Sequence, residues 1–534
     1  MKKIHIYIAS LILLATSFAG CKDWLDVDPV DKTKESTQYS TESGINSVMN
    51  GLYRSMDDNT LYGGYLTRTL IECMANRYIY YSTYVNGTYA AYTINNWSKY
   101  LWNADSYTNS DVESQATSIW RNGYSLAFDV NNFLKSLRES SVSLTEDKRN
   151  ILNGEAYAMR AYIHFDLFRL FGPVYTNADA TTKIMPYNSL MLDKNFEEEM
   201  FLLTDQTAPA FMDSVLTDIN RAEALLEKSD PIITDFSTAV TTELSSENFY
   251  TQNRNRRMNY YAVRALKARV LQYMGRTDEA VQIAQSIIDK VGTVGADNTT
   301  LSGFALATDI SLDYTLFSEV IFGLHDLSMY SKAENWFTSV TAPQSGYFTS
   351  NHYITNIYDL SSGGDYRSSA MKNAGINLNV HPNLSSVWYG NRFSVKTSSS
   401  RPAGLYFQPL IRLSEMYYIV AEKYIDDSNF MDAASLLNVI LAARGVDNLY
   451  SIGGANNPDL PNENSYTTDN FMKFLRKEYY REFGYEGQIF FFYKRHNSDQ
   501  MLNSNFYDTS NMFQTLENPT VAYTLPIPSV ETNY

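Results

Sequence analysis

The sequence predicts a mostly α-helical protein in which tetratricopeptide-like helical repeats form a scaffold, with a loop-rich region that carries short strands. Three observations lead there. Around 154–174, GEAYAMRAYIHFDLFRLFGPV, the residues Leu152, Ala156, Met159, Ile163, Leu167 and Leu170 recur at steps of three or four, the spacing that lays apolar side chains along one helix face. Over 258–288 a helix, a turn at Gly275 and a second helix place Ala268, Leu271, Gly275 and Ala280 at offsets like the small, aromatic, turn and small positions of a tetratricopeptide repeat. Over 410–445 the pattern returns, with Ala421, Tyr424 and Ala433 at the matching offsets. Small residues let paired helices approach, and larger ones fill the groove between units.

The N-terminus stands apart from this body. Lys2 and Lys3 precede an apolar run over 4–15 that is too short to span a bilayer comfortably. Phe18-Ala19-Gly20-Cys21 follows and looks like a bacterial lipoprotein cleavage site, with Phe18 where Leu is usual. The expected organisation is a signal peptide over 1–20, a lipidated tether over 21–41 and a single helical body over 42–534. Cys21 is the expected lipidation site. The only other cysteine, Cys73, then has no intramolecular partner, so it is expected to be a buried small hydrophobe.

Within the body, residues 42–57 predict a short first helix with Ile45, Val48, Leu52 and Met56 on one face. The stretch 58–110 is rich in Tyr, Asn, Thr and Gly and predicts loop with short strands, including a hairpin around Asn86-Gly87. Helical order resumes over 119–137, where Trp120, Tyr124, Ala127, Asn131 and Leu134 fit one face. Thr145 and Lys148 give a partial start for the central helix, Gly172 supplies its cap and Pro173 forbids continuation. A second face of that helix carries Glu155, Arg160, Asp166 and Arg169. Residues 211–226 predict another helix. The stretch 292–405 is too long for a structureless loop, so it predicts a second region of loops and short strands.

These marks, taken in order, resemble the SusD/RagB family of outer-membrane nutrient-binding lipoproteins. The resemblance rests on Gly51-Leu52-Tyr53, on Trp120 and Tyr124 with Asn131-Asn132, and on the run Glu155-Ala156, Arg160-Ala161, Leu167, Arg169, Phe171-Gly172 and Val174. It continues through the strand Glu319-Val320-Ile321-Phe322 and through Arg412, Glu415, Tyr417 and Ala421-Glu422, which match a later helix signature. It ends with Arg476, Arg481-Glu482-Phe483 and Gly487, and with Leu525-Pro526-Ile527-Pro528 and Glu531. Tyr479-Tyr480 replace a more usual charged pattern. Lys22-Asp23-Trp24-Leu25-Asp26 resembles the charged signal that sends such lipoproteins to the cell surface. The resemblance implies a lipid-anchored outer-membrane protein facing the exterior, an oligosaccharide ligand, and a partner that is a SusC-like TonB-dependent outer-membrane barrel.

Composition sets limits on function. The net charge of −16 disfavours nucleic acid, whose phosphates need a basic surface. It equally disfavours a polybasic attachment to anionic lipid. None of the six histidines forms a pair with metal-ligand spacing, and no P-loop, dinucleotide fingerprint or nucleophile elbow occurs. No catalytic residue, cofactor or metal is therefore expected. Binding is the remaining role, and 42 tyrosines suit wet, adaptable surfaces. Trp97, Tyr100, Trp102 and Asn103 lie in a charge-poor loop, and the resemblance places Tyr330 and Trp336 in a second aromatic region. The resemblance implies that aromatic loops from these two regions build the ligand site. Anchoring of the loops against the helices is the competing role for each tryptophan. A peptide ligand, as in a RagB-like protein, would use the same residue types. A helical-repeat scaffold for a protein partner is the alternative from a different class.

Overall fold

The computed structural model describes residues 35–78, 82–85, 88–91, 110–191, 203–241, 248–295, 300–308, 315–338, 347, 349–358, 365–373, 387–390, 392, 406–446, 460, 466–503, 512–516, 518–529 and 531. Cys21, the tether, and Trp97, Tyr100, Trp102 and Asn103 lie outside them.

Helix α1 spans Glu42–Met56. Its N-terminus is capped by the Thr41 hydroxyl, which accepts the Gly44 N–H at 3.0 Å. Ile45, Met49, Leu52 and Met56 form its buried face, with Met49 in place of Val48. Helix α2 covers Ser110–Glu139 and starts well before position 119. Its first turns are polar except for Val112 and Ala116, which are buried and extend the same face. Trp120 on α2 packs edge-on against Phe171, with ring centroids 5.0 Å apart.

Helix α3 is the central one, Glu146–Phe171. The Thr145 hydroxyl accepts the Lys148 N–H at 3.3 Å, and the Gly172 N–H donates to the Phe168 carbonyl at 2.8 Å. The apolar face from Leu152 to Leu170 is buried as expected, and the charged face is buried too. Each charge there meets a partner: Glu155 pairs with Arg254 at 2.5 Å, Arg160 with Asp218 at 2.7 Å, and Arg169 with Asp166. A helix enclosed on all sides tolerates ionised groups only when they are paired in this way.

From α2 the helices stack as an ordered array. Helix α4 (Ala208–Ser229) packs on α3, α5 (Tyr260–Tyr273) on α4, and α6 (Thr277–Ile288) on α5. Helix α7 (Leu413–Asp426) packs on α6 and α8 (Phe430–Ala443) on α7. The two sequence repeats are thus the helical pairs α5–α6 and α7–α8. Ala268, Ala280, Ala421 and Ala433 are all buried between helices. Gly275 turns α5 into α6 with φ +75°, a left-handed conformation suited to glycine. Helices α9 (Thr468–Glu482) and α10 (Ile489–Arg495) close the array against α7.

Two buried strands cross between the repeat pairs. Strand β1 (Val320–His325) runs antiparallel to β2 (Phe407–Arg412), pairing Val320 with Arg412 and His325 with Phe407. Arg412 ends this strand and is also the N-cap residue of α7, so the signature that begins at Arg412 runs straight into the helix. Ser82–Val85 and Thr88–Ala91 form an antiparallel pair with Val85 opposite Thr88, as the expected hairpin requires. A three-stranded sheet of Thr349–Ser350, Val387–Gly390 and Met371–Asn373 lies within 292–405. No helix among the described residues is long and apolar enough to cross a membrane.

Between α9 and α10 the chain passes Leu66 at close range. Gly487 has φ +73°, and a Cβ there would lie 2.0 Å from the Leu66 carbonyl oxygen. Gly487→Ala is expected to destabilise the protein by about 2 kcal/mol or more, from left-handed strain plus forced backbone movement. The fall in thermal midpoint relative to the unchanged protein measures it, and an unaltered midpoint would contradict the close approach.

Candidate functional site

Strand β1 delivers the chain to Asp326, around which the candidate site is organised. The buried Asp326 carboxylate accepts the Ser328 N–H at 2.8 Å and the Ser328 hydroxyl at 2.5 Å. It also accepts the Lys332 ammonium at 3.0 Å and the Arg68 guanidinium at 3.4 Å. Burial alone would raise its pKa, but Ser328, Lys332 and Arg68 hold it below the ordinary carboxylate value. Arg68 is itself enclosed, donating to the Gly63 carbonyl at 3.1 Å. Burial lowers the Arg68 pKa, and the charge of Asp326 opposes that shift.

After Asp326 comes a short helix, Met329–Ala333, that widens into a π-helical turn over Glu334–Thr338. Such widened turns are frequent at functional sites. Tyr330 is 44% exposed at its start. Trp336 is half-buried, with the Arg68 guanidinium 5.1 Å from its ring centroid. Its carbonyl accepts the Tyr347 N–H at 2.9 Å. Next to it in sequence, buried Phe337 packs edge-on against Tyr485 at 5.5 Å, and Tyr78 packs at a tilt against Tyr347 at 5.0 Å. The indole is in contact with the Arg68 cation and meets the ring of Phe337 edge-on at 6.3 Å, which makes it a pre-organised platform. Such a ring offers an apolar face for stacking, and Lys332 offers hydrogen-bond donors at its rim.

Of the site residues predicted from sequence, the structure places Tyr330 and Trp336 on this one segment, without a ring contact between them. The Trp336 ring is in contact with Arg68 and is still partly open to solvent. Sequence reasoning missed Arg68, Asp326 and Lys332. Arg68 and Asp326 are 258 positions apart, so no local spacing signals their pairing. Among the described residues no group of His, Cys, Asp and Glu is arranged to hold a metal ion.

A stacked array of paired helices, with an aromatic and charged patch carried on the segments between them, defines a helical-repeat binding protein. The chain belongs to the SusD family, whose model matches residues 245–534. A second model, described as starch-binding and associating with the outer membrane, matches residues 23–271. A SusD superfamily crystal structure from Bacteroides thetaiotaomicron superposes with a TM-score of 0.63 at 19% identity, covering 92% of this chain and 97% of that one. A laminarin-binding SusD-like protein superposes with a TM-score of 0.57 at 17% identity, covering 93% and 98%. At these identities the likeness establishes the fold. SusD-like protein P2 of Formosa agariphila is 25% identical over 174 residues, which span 33% of this chain and 31% of that relative.

Proposed function

We propose that the protein is a non-catalytic, lipid-anchored receptor on the outer face of the outer membrane that captures an oligosaccharide. It hands the ligand to a SusC-like TonB-dependent barrel. The observation that carries this reading is the Trp336 platform, stacked by Arg68 and flanked by exposed Tyr330 and by Lys332. Membership of the SusD family supports it, as does the description of the family model over residues 23–271. Trp97, Tyr100, Trp102 and Asn103 are proposed to complete the site from the N-terminal third, and Cys21 to carry the lipid.

The test is calorimetric titration of soluble protein beginning at Lys22 with a panel of neutral polysaccharides and a mixed peptide digest. Saturable binding of one glycan is expected, weakened about tenfold or more, some 1.4 kcal/mol, by Trp336→Ala. Trp97→Ala and Trp102→Ala are expected to weaken it as well, with the circular dichroism spectrum unchanged. Heat with peptides alone would move the ligand class to peptide. Silence with every ligand would favour a scaffold for a protein partner.

A further inference from the structure

A cavity of about 490 Å³ is lined in part by Asp326. That volume falls within the range of small-molecule sites, roughly 300–1,000 Å³. Its walls come from the end of α1, from residues 253–257 and from the turn after β1. The Arg68–Asp326 pair connects it to the Trp336 platform, because Asp326 lines the cavity and Arg68 stacks on the indole. Its chemistry differs from that of the platform. Tyr53, the aromatic residue in the wall, is fully engaged: its hydroxyl donates to Glu155 at 2.9 Å and accepts the Met258 N–H at 2.8 Å.

Three polar groups of the wall have no hydrogen-bond partner within the protein. Asn253 is 3% exposed, and neither its amide oxygen nor its amide nitrogen is paired. It also sits at φ +53°, a left-handed conformation uncommon for a non-glycine residue. His325 Nε2 and Asp57 Oδ1 are likewise unpaired. An enclosed polar group left without a partner is costly, so three in one wall call for a ligand or water to satisfy them. Burial and the charge of Arg256 lower the His325 pKa to about 4, so the imidazole is neutral near pH 7. Burial and the charge of Asp326 raise the Asp57 carboxyl to about 7, leaving it part-protonated there.

The charges fix the class of ligand. Arg54, Arg256 and Arg257 line the cavity. Arg257 is committed to Glu155 at 3.3 Å and Asn50 at 2.6 Å. Arg54 is exposed at the mouth and makes no ion pair among the described residues. On the acidic side, Asp326 is already neutralised by Lys332 and Arg68. The wall thus offers guanidinium charge beside an amide that both donates and accepts. Phosphate would meet the guanidinium groups but offers few hydroxyl donors to the open acceptors Asn253 Oδ1 and Asp57 Oδ1. A monoanionic carboxylate on a polyhydroxylated ring satisfies both sets of groups, with the carboxylate at Arg54 and Arg256 and adjacent hydroxyls at Asn253 and Asp57.

We propose that this cavity is a second binding site, separate from the aromatic platform, that takes a uronic acid unit. The inference rests on the glycan-capture reading and names one kind of sugar the captured glycan contains. The test titrates the protein from Lys22 onward with glucuronate and galacturonate disaccharides, their neutral counterparts and inorganic phosphate. One uronate is expected to bind saturably at one per chain, more weakly at high salt, with the neutral counterpart silent. Arg54→Gln and Asn253→Gly are each expected to weaken it about tenfold; glycine accepts the left-handed backbone, so the fold is retained. Trp336→Ala is expected to leave uronate binding within about twofold.

Absence of uronate binding, or binding that survives both cavity variants, overturns the proposal. Loss on Trp336→Ala alone assigns the uronate to the platform and overturns it too. Equal competition by phosphate would mean an anion site without sugar recognition. Neutral-glycan binding that is lost on Trp336→Ala while uronates stay silent would keep the capture reading and sink this one.

Discussion

Arg412→Met is expected to cost about 3–5 kcal/mol of stability, because it breaks a fully enclosed ionic lattice at its centre. The Arg412 guanidinium reaches Glu482 at 2.7 Å, Glu486 at 2.9 Å and Glu319 at 3.0 Å, and all four side chains are buried. Arg444 binds two of the same carboxylates, Glu482 at 2.6 Å and Glu319 at 2.8 Å. Arg367 joins Glu482 at 3.0 Å to Glu478 at 2.5 Å. Burial would push the Glu482 carboxyl up, but Arg444 and Arg412 hold it well below the ordinary range. Methionine keeps much of the volume and supplies none of the charge, so carboxylates selected to be paired are left enclosed. The shift in urea midpoint, with the slope checked for constancy, measures the loss. A cycle with Glu482→Gln separates the pair itself from the orphaned carboxylate. A cost below about 1 kcal/mol would mean that the lattice relaxes and water enters.

The position of this lattice links stability to the site. Glu319 precedes β1, Arg412 ends β2, and Glu482 ends α9. The lattice therefore clamps one end of the β1–β2 pair to the repeat helices. The other end of β1 leads into Asp326 and the Trp336 segment. Arg412→Met is accordingly expected to loosen ligand binding in step with stability, although Arg412 touches no part of the site.

How far the sequence revealed this arrangement follows from the range of each interaction. Helix α3 and the pairs α5–α6 and α7–α8 were legible because their signal is local. Ala268 and Ala280, or Ala421 and Ala433, recur at fixed steps within one unit. The start of α2 was missed because Val112 and Ala116 are the only apolar marks in an otherwise polar opening. The helix signature that begins at Arg412 was legible, and Arg412 does cap α7, but its strand pairing comes from Val320, far away in the chain. The polar partners of the site were invisible for the same reason. A charge such as Asp326 carries no periodicity, and its meaning depends on Arg68. Tyr330 and Trp336 were singled out through the resemblance, and the Arg68 contact of Trp336 had no local signal.

Acid titration through His164 is the second large expected effect. His164 sits fully buried on α3, its ring stacked on Tyr187 with centroids 4.0 Å apart. Nε2 accepts the Asn188 backbone N–H at 2.9 Å, so Nδ1 carries the proton and donates to the Arg160 carbonyl at 2.8 Å. Both nitrogens are satisfied only in the neutral ring; a second proton would face the Asn188 N–H. Burial, aided by the Arg160 charge, lowers the pKa to about 4, against the hydrogen bond to the Arg160 carbonyl and the charge of Asp218, which raise it. Tyr124 also faces the ring, edge-on at 5.8 Å. Between pH 6.5 and 4 the unfolded chain therefore takes up a proton that the folded one refuses, and stability falls as pH falls, levelling off below about 4. The 2.5-unit gap corresponds to about 3 kcal/mol at 1.36 kcal/mol per unit. Asp57 and Glu72, both raised to about 7 by burial, work in the opposite direction over the same window, since their folded forms bind protons first. The wild-type pH curve alone consequently hides the histidine. The decisive quantity is the difference between wild type and His164→Gln, from urea midpoints at pH 7 and pH 4. The variant is expected to be the less stable protein at pH 7 and to lose about 3 kcal/mol less on acidification. Parallel curves for the two proteins would mean that the imidazole accepts its proton in the folded state, with Asn188 displaced from Nε2.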